Sequence, residues 1–90
     1  MLLDSLIEAI NDRAVISFSY GGMLRIAEPH TVGESKAGNA VLWAFQLEAR
    51  HLLANQATAD YILLGYEWEF FNLELISNLH LTGGHFLGSM

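Results

Sequence analysis

The chain has no cysteine among its 90 residues, so disulfides, thiolate chemistry and cysteine-held metals are excluded. That usage fits a reducing compartment, and the cytoplasm is the expected location. Basic residues are scarce too, four against ten acidic, for a net charge of −6. A surface of that sign repels polyanions, so neither nucleic acid nor an anionic membrane is the expected partner of the chain as a whole. The four histidines, His30, His51, His80 and His85, show no metal-ligand spacing, and no metal or other cofactor is expected. Ser17 and Ser19 lack a Gly-x-Ser-x-Gly elbow, and neither Gly21-Gly22 nor Gly83-Gly84 forms a phosphate-cradling loop. The first residues carry no basic region, and Asp4 and Glu8 interrupt their apolar pattern, so neither a signal peptide nor a transmembrane helix is expected. Nothing in this inventory points to an enzyme.

Apolar residues, by contrast, make up 52% of the chain. A domain of this size buries only about two-thirds of its unfolded surface, so not all of that apolar area can be hidden inside. A homo-oligomer, in the simplest case a dimer, is therefore expected, with its interface on the aromatic segment Tyr66 to Phe71 or on an open sheet edge.

Leu3, Leu6, Ile7 and Ile10 fall at helical spacing and predict a short amphipathic helix over residues 2–11. Asp4 or Ser5 can cap it, Ser5-x-x-Glu8 fits a capping box, and Asn11-Asp12 ends it. Ile16, Phe18 and Tyr20 then alternate with Val15, Ser17 and Ser19, the period of a half-buried strand. Gly21-Gly22 supplies a hairpin turn, and Leu24, Ile26 and Glu28 alternate with Arg25 and Ala27 on the return. Two registers are open. A two-residue loop places Phe18 opposite Arg25; a three-residue loop ending at Met23 places Phe18 opposite Ile26 and Ser19 opposite Arg25. The apolar pairing favours the longer loop. Pro29, the only proline, is read as a strand end or edge.

The order Tyr-Gly-Gly-x-x-Arg-x-x-Glu-Pro-His, from Tyr20 to His30, resembles the opening of a WYL domain, specifically of the short stand-alone bacterial WYL-domain-containing proteins. The likeness continues. Gly33 and Gly38 bracket a polar turn before Ala40 to Glu48, a third strand with Val41, Trp43, Phe45 and Leu47 on one face and Leu42, Ala44, Gln46 and Glu48 on the other. The segment Trp68 to Ile76 is similar to the family's turn into a final strand, and Phe86 to its closing phenylalanine. The resemblance covers residues 14–86. It implies an α+β fold in which the N-terminal helix (1–13) packs on a five-stranded, strongly bent antiparallel sheet of the Sm-like, SH3-type small barrel kind, followed by a tail (87–90). Residues 49–64 read equally as helix or loop. WYL domains are often fused to a helix-turn-helix, for which residues 1–13 are too short.

The resemblance also implies a non-enzymatic regulatory or ligand-sensing module, with Arg25 in a pocket for a small anionic or nucleotide-like ligand, or for a protein partner. Tyr20, Glu28, His30, Trp43 and Gln46 are the expected companions of Arg25 in that pocket. Arg25 alternatively pairs with Glu28 or another acid and is structural. Four positions depart from the family: Trp43 and Asn72 stand where it carries arginine, Phe45 where it carries tyrosine, and Glu69 where it carries lysine. Trp43 reads as ordinary core, and the rival reading is a structural, homo-oligomerising barrel with a vestigial pocket. Glu67 and Glu69 share a strand face, read as a solvated one.

Overall fold

The computed structural model describes residues 1–51, 62–64 and 66–87, with side chains for 1–50 and 66–87. Helix α1 spans Leu2–Asp12. It is followed by β1 (Ala14–Tyr20), β2 (Met23–Glu34), β3 (Ala40–His51), β4 (Ile62–Leu64), β5 (Glu67–Asn72), a 3-10 turn at Leu73–Leu75, and β6 (Ser77–His85). The region in which helix and loop were both open begins as strand, because β3 runs on to His51, and Ile62–Leu64 is strand as well. Residues 52–61, and 88–90 of the expected tail, lie outside the described residues.

The sheet is antiparallel and runs β3-β2-β1-β6, with β4 and β5 lying one after the other along the same outer edge of β3. It is thus five strands wide although it has six segments. Among the described residues no ladder joins β6 to β5, so the sheet is not closed. The fold is α+β, one helix on one antiparallel sheet.

Several local expectations are corrected. The β1-β2 hairpin takes the two-residue loop: Tyr20 pairs with Met23, Ser19 with Leu24, and Phe18 with Arg25. Gly21 and Gly22 both adopt positive φ, 60° and 76°, as a primed two-residue turn requires. Turn chemistry therefore outweighed apolar pairing, and Arg25 joins the face of Phe18 rather than standing opposite Ser19. Pro29 lies inside β2, fully buried, not at its end. A register shift between Pro29 and Thr31 against β3 lets the strand absorb the missing N–H.

Helix α1 starts at Met1 as N-cap with no side-chain cap bond, so neither Asp4, Ser5 nor the capping box is used. It closes on Arg13 in the left-handed region, whose amide meets the last turn. Leu6 and Ala9 are its buried residues, with Leu2 and Ile10 packed beside them. Leu3 and Ile7, expected on the packed face, are about two-fifths exposed. The core unites Leu6 and Ala9 with Ile16, Phe18, Ala27, Leu42, Ala44, Phe71, Leu73 and Ile76, so the helix covers one face of the sheet, called here the inner face.

A second irregularity shapes that face. Between Ile26-Glu48 and Ala27-Gln46 the β3 strand carries one extra residue, Leu47. This bulge resets the alternation, so that Gln46 and Ala49 are both fully buried while Glu48 leaves the face of Leu42 and Ala44 and pairs with Arg50.

Candidate functional site

The six residues expected around one pocket divide between the two faces of the sheet. Tyr20, Arg25 and Gln46 lie on the inner face. Glu28, His30 and Trp43 lie on the outer face, among aromatic side chains. The single six-membered pocket is therefore not formed, because alternation along β2 sends Glu28 away from Arg25, and alternation along β3 sends Trp43 away from Gln46.

On the inner face, the hairpin register sets Arg25 beside Phe18 and Tyr20. Its guanidinium carbon lies 5.6 Å from the ring centres of both Tyr20 and Phe71, a position that the ring quadrupoles favour. The Nε group donates to the Tyr20 carbonyl at 3.4 Å, and Nη1 donates to Gln46 Oε1 at 2.8 Å. No carboxylate among the described residues lies within ion-pair distance of Arg25, so the expected alternative of an Arg25–Glu28 pair is not formed. Tyr20 is fixed from both ends. Its ring meets Phe71 edge-on at 4.9 Å, and its hydroxyl accepts from the Asn72 amide at 3.0 Å. Tyr20 and Phe71 thus form a floor under the guanidinium.

Gln46 is the unusual member. It is 0% exposed, the one buried polar side chain among the described residues. Its oxygen is taken by Arg25, while its Nε2 has no hydrogen-bond partner among the described residues. Leaving such a donor unpaired costs about 1–3 kcal/mol. The guanidinium also has donors to spare, since Nη2 makes no bond there and lies beside the hairpin turn, 3.8 Å from where a Gly21 Cβ would stand.

Glu67 and Glu69 share a face as expected, but that face is not simply solvated. Glu67 pairs across the sheet with Gln46, and Glu69 with the buried Ala44; both are half-buried. Burial raises the Glu69 carboxyl above its ordinary value. A hydrogen bond with Glu67 and the charge of Glu67 raise it further, and Arg25 offsets part of this. The sequence signal for this was Phe71, which shares their parity on β5 and is a core residue. The site therefore holds donors on Arg25 and Gln46 and acceptors on Glu67 and Glu69.

On the outer face, Trp43 stacks on Trp68 at 5.2 Å and packs against Phe70 at 4.3 Å. Phe45 meets Trp68 and Tyr66, and His30 lies between Trp68 and Phe86 at 4.9 and 5.0 Å. Trp43 is thus half-buried in a surface aromatic row, not in the core proper. His30 Nε2 is buried, 3.9 Å from Glu28 Oε1 and without a hydrogen bond among the described residues. Asn72, the second departure from the family's arginines, caps the 3-10 turn by accepting from the Glu74 amide at 3.0 Å. Its side chain has a local structural task.

Comparison with family models, with curated proteins and with solved structures finds no match to the chain.

Proposed function

We propose that the chain is a non-enzymatic, ligand-sensing module of WYL-like character, whose ligand is held on the inner face by Arg25 and Gln46. The observation that carries this reading is the pair of donors left over there among the described residues: the buried Gln46 Nε2 without an acceptor, and Arg25 Nη2 without a hydrogen bond. A small molecule that presents oxygen, an anion or the carbonyl of a nucleotide-like compound, satisfies both. The Sm-like, SH3-type form is supported by the strand order, in which β6 returns beside β1 after a 3-10 turn that follows β5. The site offers one guanidinium, that of Arg25, which suits a small ligand rather than a polymer.

Isothermal titration with acetate and with inorganic phosphate tests this directly. Binding of at least one, lost in Arg25→Ala and weakened in Gln46→Leu, is the expected result. Binding that survives Arg25→Ala would place the site elsewhere.

The second reading, a structural homo-oligomer, is favoured by a different observation. Tyr66, Trp68 and Phe70 are 79%, 40% and 64% exposed on the outer face, and β5 and β6 have no further ladder partner among the described residues. We propose a dimer in solution by one of these surfaces. Sedimentation equilibrium at micromolar concentration should show twice the chain mass; a monomer throughout would refute it.

A further inference from the structure

The ligand site has an electrostatic composition that a simple anion does not match, and this narrows the class of ligand. The donors of Arg25 and Gln46 face a counterpart on the next strand. Glu67 is directly opposite Gln46 across the β3-β5 ladder, and Glu69 follows on the same face beside Ala44. Within one sheet face the chain thus sets a guanidinium and an unpaired carboxamide nitrogen against two half-buried carboxylates. A multiply charged anion would meet those carboxylates and be repelled, and a plain cation would meet Arg25.

We infer that the ligand is a small zwitterion carrying a carboxylate next to an ammonium, the chemistry of a free α-amino acid. Its carboxylate takes hydrogen bonds from Arg25 Nη2 and Gln46 Nε2, and its ammonium is received by Glu67 and Glu69. The inference rests on the reading of Arg25 and Gln46 as a ligand site and adds the role of the acidic pair. Three features of the site converge. The two spare donors belong to side chains joined by the 2.8 Å bond from Nη1 to Gln46 Oε1. Glu69, the partner of Ala44 on the same face, is in electrostatic contact with Arg25, which offsets part of the rise in its proton affinity. The rings of Tyr20 and Phe71, each 5.6 Å from the guanidinium carbon, give the ligand's hydrocarbon part an apolar neighbour. One guanidinium stands against two carboxylates, so a guest with both a carboxylate and an ammonium meets an opposite charge at each end.

The test is a calorimetric titration of the full chain with a panel of free α-amino acids, with acetate and methylammonium as the two half-molecules and inorganic phosphate as the multiply charged control. At least one amino acid should bind more tightly than either half-molecule and than phosphate. In Glu67→Gln/Glu69→Gln the amino-acid affinity should fall by about thirtyfold or more, while acetate affinity is unchanged or improved, because only the ammonium loses its partners. Acetate or phosphate binding as tightly as every amino acid would overturn the zwitterion inference and leave the oxyanion site standing. Binding of no probe at all would overturn both.

Discussion

Replacing Gln46 with leucine should leave stability nearly unchanged, although Gln46 is fully buried. The change shortens the side chain by one atom and removes one hydrogen bond, the one that Arg25 Nη1 donates to Oε1 at 2.8 Å. A bond of that charged kind contributes about 1.5–3 kcal/mol. The same change removes a buried Nε2 that has no acceptor among the described residues, a penalty of about 1–3 kcal/mol. Arg25 is only half-buried, so water can serve the freed Nη1. The two effects are of like size and opposite sign, and the net change should lie within about 1 kcal/mol of zero. Urea denaturation, with the midpoint and slope compared between Gln46→Leu and the parent, measures it. A loss of more than about 3 kcal/mol would mean that the nitrogen has a strong partner in the folded chain, and the reasoning that makes it a ligand donor would fail.

Arg25→Ala and Glu28→Gln should add without coupling in thermal melts, to within about 0.5 kcal/mol, because the two side chains lie on opposite faces of β2; a coupling of several kcal/mol would restore the buried pair. Glu69→Gln should be more stable than the parent at neutral pH. The folded carboxyl is raised above 4.5, chiefly by burial, so the native state holds its proton more tightly than the unfolded chain, and stability falls as pH rises through that window. The advantage of the variant should vanish below the ordinary value of 4.5, and an advantage that grows on acidification would contradict it. Phe71→Ala, at the meeting of Phe18 and Tyr20 and 1% exposed, should cost about 3–5 kcal/mol by denaturant melts and also weaken ligand binding by removing half the floor under Arg25. An unrelated oligonucleotide should show negligible binding at physiological salt; micromolar affinity with steep salt dependence would show that the −6 charge does not govern.

The α+β class, the helix, the hairpin and the third strand were legible because each rests on a short-range period or a turn residue. What failed was what depends on a partner strand. Gly21-Gly22 was visible as a turn, yet its register was decided by backbone twist that side-chain alternation does not report. The bulge at Leu47 has no sequence mark, and it alone decides that Gln46 and Ala49 are buried on one face while Glu48 is not. Pro29 looked like a stop because a lone proline usually is one, and a register shift made it a core residue. For the site, Tyr20, Arg25 and Gln46 came together, but nearness in motif order was mistaken for nearness in space for Glu28, His30 and Trp43. The part played by Glu67 and Glu69 came from the β3-β5 register, which no local pattern encodes.

The central claim is that Arg25 and Gln46 hold a ligand on the inner face of the sheet. Side-chain amide and indole signals in a proton–nitrogen correlation spectrum report on the two faces separately, through Gln46 on one and Trp43 and Trp68 on the other. Titration with acetate and with free amino acids should shift the Gln46 carboxamide pair and the Arg25 side-chain signals while the two indoles stay still, and Arg25→Ala should abolish the shift. Movement of the indole signals with a silent Gln46 carboxamide would contradict the account and put any binding on the outer aromatic face instead.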